Sequence, residues 1–184
     1  MPWMWGSSSS VGSAPEVPWV WVSLGSNLDR EASLRLAIRA LRDRYGELSL
    51  SPIYESAAEG FKGEPFLNLV AGFETTESVA ILRDRLRTIE AAAGRRREGD
   101  KFGPRTLDLD LLTYGDAVGV IDGYPLPRDE ILRYAFVLKP LADLAPEEPC
   151  PGSGRSYGAL WRDFVGAVTA LTRVSLDLTA EGAG

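Results

Sequence analysis

Histidine is absent from this chain of 184 residues. That removes imidazole-ligated zinc, Ser-His-Asp triads and imidazole proton shuttles from the chemistry open to it. Cysteine occurs once, at Cys150, which excludes an internal disulfide framework and suits a reducing compartment. No apolar run approaches the length of a membrane span. The opening stretch, MPWMWGSSSSVGSAPEVP, has neither a basic n-region nor a proper apolar h-region, so it does not read as a secretory signal. Its serine run with Gly and Pro reads instead as a flexible leader or cloning scar over residues 1–18, and TAEGAG at 179–184 as a frayed tail. A cytoplasmic location is expected.

What remains, residues 19–178, is expected to be one domain. With 45% hydrophobic and 25% charged residues, the chain can bury a sizeable core. Its most informative stretch is residues 103–112, GPRTLDLDLL. In a strand, residues two apart share a face at about 7 Å. Asp108 and Asp110 would therefore sit on one surface, with Leu107, Leu109 and Leu111 facing a core. Like charges held that close repel unless a cation or strong donor lies between them. Mg²⁺ suits them, because it takes one or two carboxylates and completes its shell with water and phosphate oxygens. Taken alone, the pair also fits a solvated acidic face on an edge strand.

The residues just before the acids bear on that choice. Between positions 83 and 105 stand eight basic residues (83, 85, 87, 95, 96, 97, 101 and 105) and four acidic ones (84, 90, 98 and 100). That local excess of about +4 belongs to a chain of net charge −6, which points to a specific polyanion and away from general nucleic-acid affinity. Arginine's planar fork suits phosphate. Arginines beside a metal-competent acid pair are the groups phosphoryl or pyrophosphoryl transfer requires. A solvated basic loop is the plainer alternative.

Strand-like and helix-like patterns alternate. Residues 19–24 read as a strand breaking at Gly25, Ser26 and Asn27, with Asn27 or Asp29 available to cap a helix through Leu34, Ala37, Ile38, Leu41 and Tyr45 that Gly46 closes. Residues 48–55 and 66–74 read as strands flanking a loop, 78–93 as an amphipathic helix ending at Gly94, and 106–114 as the motif strand. A short apolar piece at 135–141, a helix near 157–168 and a last strand near 174–178 complete the pattern. Without regular βαβ repetition, this favours an α+β sheet with helices on one side.

The stretch KFGPRTLDLDLL at 101–112 resembles the signature of the 6-hydroxymethyl-7,8-dihydropterin pyrophosphokinase family. Other landmarks fall in the family's order: GSN at 25–27, SPIYES at 51–56, PFLN at 65–68, IE before GRRR within 89–97, and FVLKPLADLAP at 136–146. The likeness spans about residues 19–165. It implies a single ferredoxin-like α+β domain, an antiparallel sheet with helices packed on it. It also implies an ATP-dependent diphosphotransferase acting on the pterin alcohol in folate biosynthesis. Such a monomeric enzyme would take ATP and a pterin as its small-molecule partners, with no nucleic acid and no membrane.

By the same resemblance Asp108 and Asp110 would hold two Mg²⁺ ions, and Arg97, Lys101 and Arg105 would grip the ATP triphosphate. Arg95 and Arg105 would serve the catalytic step, with Gly94 and Gly99 as loop hinges. Phe66 and Phe136 would stack on the pterin, Asn68 would read its edge, and Ser56 and Phe102 stand where the family usually has Thr and often Trp. The family's phosphate-contacting histidine falls at Arg128 by spacing, or at Leu126 by the local proline pattern. Its arginine two before the phenylalanine is Tyr134, and residues 57–59 (AAE) lack the usual proline. Two other readings stay open: a Mg²⁺-dependent transferase with a drifted acceptor, and a non-catalytic nucleotide-binding module.

Overall fold

The computed structural model describes residues 16–57, 63–94, 107–166 and 170–180. Its main sheet runs β5 (Asp108–Tyr114), β1 (Trp19–Ser26), β4 (Phe66–Glu74), β3 (Ile53–Ser56), β8 (Leu171–Val174), and the short β2 (Ser49–Leu50) also pairs with β4. Every pairing in it is antiparallel. A hairpin of β6 (Gly119–Ile121) and β7 (Tyr124–Leu126) follows β5. The helices are α1 (Arg30–Tyr45), α2 (Val79–Gly94), α3 (Glu130–Arg133), α4 (Ala135–Leu144) and α5 (Tyr157–Arg162). None of them is long and apolar enough to cross a membrane.

The 3.6-residue period of α1 and α2 buries Leu34, Ala37, Ile38 and Leu41, and Val79, Leu82 and Leu86, against one sheet face. That face is built from Val20, Val22 and Leu24 of β1, Leu67, Leu69, Ala71 and Phe73 of β4, and Leu109 and Leu111 of β5. As expected, Leu107 joins the same core, and Gly46 ends α1.

The expectation of helices on one side does not hold. The opposite face carries Trp21, Val70 and Leu112, too much apolar surface to leave in water, and α3, α4 and α5 cover it with Ile131, Val137, Leu138, Leu141 and Tyr157. Gly72 makes room there for the edge-to-face pair Trp19–Trp21, since a Cβ at 72 would lie 2.3 Å from Trp21. Towards one end the same face turns polar, and there a cavity replaces the core.

Several local readings change. Residues 48–55 form two strands, because Pro52 has no N–H to give; Ser51 bridges the break, its N–H reaching Val70 O at 2.9 Å and its Oγ accepting the Val70 N–H at 2.8 Å. Asp29 stands at the α1 N-cap with φ 46°, so its side chain makes no cap bond, and buried Asn27 does not cap the helix either, its Oδ1 having no hydrogen-bond partner among the described residues. The apolar piece at 135–141 is the first part of α4, a helix that tolerates Pro140 because Val137, Leu138 and Leu141 all face the second core.

At the C-terminal end, α5 stops at Arg162 and the last strand lies at Leu171–Val174, where it pairs with β3. Beyond it Leu178 is buried in the first core. The Asp177 carboxylate accepts the N–H groups of Thr179 and Ala180, and Arg35 donates to Ala180 O at 2.8 Å, tying the chain to α1.

Candidate active site

Where the second face turns polar, strand register brings the chemistry into one row. Gly25 pairs with Asp108 on one side and Asn68 on the other, while Ser23 pairs with Asp110 and with Val70. Neighbouring strands lie about 4.8 Å apart, so the acid pair and the amide stand roughly 10 Å from each other on one rigid surface. The row forms the floor of a cavity of 390 Å³, whose walls include Ser56, Phe66, Tyr134, Phe136 and Glu130.

Six of the residues expected from the sequence therefore meet in one place: Asp108, Asp110, Ser56, Phe66, Asn68 and Phe136. The acids behave as the alternation implies. Asp108 is half-buried and Asp110 exposed to the cavity side, with Leu107, Leu109 and Leu111 buried behind them. The edge-strand alternative is also part of the answer, since β5 is the outer strand of the sheet.

Asn68 is 6% exposed and its orientation is set by two acceptors: Nδ2 donates to Ser56 Oγ at 2.8 Å and to Tyr54 O at 3.3 Å. The absence of a side chain at Gly25 keeps the floor open, because a Cβ there would sit 3.4 Å from Asn68 Oδ1. Next to the cavity, Arg30 Nη1 joins Glu55 Oε2 at 2.8 Å to Pro65 O at 3.0 Å. One guanidinium thus holds together the ends of the two strands that carry Ser56 and Phe66, which are register partners.

Arg128 does not line the cavity. Its fork closes on Glu130, with Nε and Nη2 at 3.0 and 2.6 Å from the carboxylate oxygens, and this pairing raises its pKa. It meets the cavity through Glu130 and through the charge of Asp110, and its guanidinium lies 4.8 Å from the centre of the Tyr124 ring. Leu126, the other position offered for the family histidine, is buried in the first core and does not line this cavity. Arg95, Arg97, Gly99, Lys101, Phe102 and Arg105 lie outside the described residues, as do Ala58 and Glu59.

Among the lining residues not singled out from the sequence as site residues are Glu130, Ser23 and Tyr134. Glu130 and Ser23 carried no local signal. Tyr134 was noted only as a departure, yet its ring stacks on Phe136 at 5.1 Å and 16°, making a paired aromatic wall with Arg133 5.5 Å from the Tyr134 centroid. No group of three or more His, Cys, Asp and Glu side chains poised for a metal occurs among the described residues. Two carboxylates on one face are a donor set suited to an ion that shares its shell with water and phosphate, and on that ground they would fit Mg²⁺.

An acid pair facing a flat-walled cavity, with a buried amide oriented at its floor, defines a small-molecule transferase site. The chain belongs to the 7,8-dihydro-6-hydroxymethylpterin-pyrophosphokinase (HPPK) family, whose sequence model matches residues 21–146. It is 40% identical over 139 residues to the 2-amino-4-hydroxy-6-hydroxymethyldihydropteridine pyrophosphokinase of Pseudomonas aeruginosa, covering 72% of this chain and 83% of that one. The protein of the same name from Haemophilus influenzae is 33% identical over 137 residues, covering 72% and 85%. Among solved structures, wild-type Plasmodium falciparum HPPK-DHPS shares the fold with a TM-score of 0.62 at 13% identity, over 82% of this chain. The chain spans 45% of that longer protein.

Proposed function

We propose that this protein transfers the terminal diphosphate of ATP to the hydroxymethyl oxygen of 6-hydroxymethyl-7,8-dihydropterin, releasing AMP, as a step of folate biosynthesis. The observation that carries the reading is the single cavity in which Asp108 and Asp110 face Phe66, Asn68 and Phe136. A flat, hydrogen-bonding bicycle needs aromatic walls and a few oriented polar groups, and this cavity supplies both.

The roles follow from the chemistry of each side chain. Phe66 and Phe136 hold the ring by its faces. Asn68, fixed by Ser56 and Tyr54, presents its amide to the ring edge. Asp108 and Asp110 would hold Mg²⁺, which when bound neutralises phosphate charge and orients the reacting oxygens. The new bond forms between the alcohol oxygen and the β-phosphorus; the bond from that phosphorus to the α-phosphate bridging oxygen breaks, AMP leaves with the electron pair, and the alcohol proton passes to water. Arg95, Arg97, Lys101 and Arg105 are assigned to the triphosphate by resemblance, and Phe102 to the pterin on the same ground. Arg128 is likewise assigned to phosphate, once released from Glu130. A monomer working in the cytoplasm suits a chain whose one cysteine is buried and unpaired.

The test is AMP release from ATP and Mg²⁺ with and without the pterin, alongside mass analysis of the pterin product. AMP that depends on the pterin, with a pterin diphosphate formed, supports the reading. ATP bound with Mg²⁺ but no AMP formed points to another acceptor. Metal-independent ATP binding without turnover points to a non-catalytic module.

A further inference from the structure

The acid pair rides on an edge strand, and an edge strand has backbone N–H groups with no strand to receive them. In an antiparallel pair successive residues alternate between bonding their partner and facing away. With β1 on one side of β5, the N–H of Leu109 faces outward, and it lies between Asp108 and Asp110 in the chain. It is met by Glu90 of α2, whose Oε1 accepts it at 2.7 Å. A carboxylate accepting from a backbone N–H makes a charge-assisted hydrogen bond, about twice as strong as a neutral one.

The placement of this carboxylate is not explained by its helix. Glu90 stands near the C-terminal end of α2, where the helix dipole favours cations over anions. The apolar face of α2 is already supplied by Leu82, Leu86 and partly buried Ile89. Its Oε1 meets β5 at the backbone N–H of the one residue flanked by both acids. The outer edge of β5 is otherwise held further along, by Tyr124 Oη donating to Leu111 O at 3.0 Å and the Arg128 N–H donating to Leu112 O at 2.9 Å.

We propose that Glu90 is a positioning residue of the reaction centre: by holding the Leu109 N–H it fixes the backbone between Asp108 and Asp110 and so sets the spacing and direction of the two carboxylates. This rests on the reading of the acid pair as the metal-holding groups. Metal sites lose about 10- to 100-fold in affinity or activity when the partners that orient their ligands are removed. Without the Glu90 bond, the outer edge of the strand loses the hydrogen bond that lies between the two acids.

The experiment compares wild type, Glu90→Ala and Glu90→Gln, the last keeping an oxygen that can accept the N–H. Four quantities are read at a temperature where all are folded by circular dichroism: amide exchange at Leu109, Mn²⁺ affinity in the presence of ATP by water-proton relaxation, and kcat and KM for the pterin reaction. In Glu90→Ala, exchange at Leu109 should quicken roughly tenfold or more, and Mn²⁺ affinity and kcat should each fall about 10- to 100-fold, with the pterin KM unchanged. Glu90→Gln should recover most of each loss. Unchanged Mn²⁺ affinity in Glu90→Ala overturns the proposal, as does a Glu90→Gln protein as impaired as the alanine variant. A wild type that binds Mn²⁺ but makes no pterin-dependent AMP defeats the assigned reaction alone, because exchange and Mn²⁺ affinity still judge Glu90.

Discussion

The Asn68 side chain donates to Ser56 Oγ at 2.8 Å across the β3–β4 pair, and both residues are almost fully buried, 6% and 4% exposed. With its second Nδ2 hydrogen directed at Tyr54 O, the amide cannot rotate freely, so its oxygen keeps to the side facing Gly25. The hydrogen-bonding edge of the cavity is thus set before a ligand arrives. Asn68→Ala should raise the KM for the pterin about tenfold or more, since a buried partner left unsatisfied costs about 1–3 kcal/mol. Ser56→Ala should do the same more weakly. Steady-state kinetics at saturating ATP measure both, and unchanged pterin KM in Asn68→Ala would place the amide outside the binding edge.

Asp110→Ala should leave the fold intact, because residue 110 is exposed while the leucines behind it carry the strand into the core. Turnover should fall by roughly a hundredfold or more, the scale of losing one electrostatic stabiliser. AMP release beside a thermal melt reads the two effects separately. Near-normal turnover would remove the acid pair from the reaction.

Phe136 lines the cavity while Tyr134 stacks on it. Phe136→Ala should raise the pterin KM about tenfold, equivalent to roughly 1.4 kcal/mol, with little change for ATP. Tyr134→Ala should have a smaller effect of the same kind, as it removes only the support for the Phe136 ring. Equal losses for both substrates, accompanied by a large drop in melting temperature, would make the phenylalanine a core filler instead.

Acid sensitivity should be traceable to a group far from the cavity. Burial alone raises the Glu77 carboxyl, but hydrogen bonds from Tyr45 and Arg44, with the charges of Arg44 and Arg85, outweigh it and hold its pKa below 4.5. A carboxylate depressed in the folded state contributes stability that is fully present above its unfolded pKa and is lost as pH falls through the folded one. Melting temperature should therefore decline below about pH 4.5. Glu77→Gln should be less stable than wild type at pH 7 and show a shallower acid decline. An identical decline in both proteins would assign acid sensitivity to other carboxylates.

Much of this molecule is legible in local pattern. The two-residue period around Asp108 and Asp110 placed acids on one face and leucines on the other, and the 3.6-residue period of α1 marked its buried residues. Pattern failed where a single residue overruled it. Pro52 split a run that alternates well enough to pass for one strand, and the left-handed backbone at Asp29 turned a good capping residue away from its helix. The helix at Ala135–Leu144 was ambiguous because a short apolar run containing a proline is compatible with several structures until a surface is there to bury it.

By itself the sequence determined the α+β class and the acid pair with its hydrophobic backing, because both follow from side-chain type and spacing along a few residues; the aromatic and amide side chains suited to a flat ligand were marked by resemblance to a family. Only the tertiary structure decided that these groups share one cavity. Asp108, Gly25 and Asn68 are far apart in the chain and adjacent only through the antiparallel register of three strands. The same holds for Glu90 on the Leu109 N–H and for Glu130 on Arg128: such contacts depend on where one element lies against another, which no short stretch of sequence encodes.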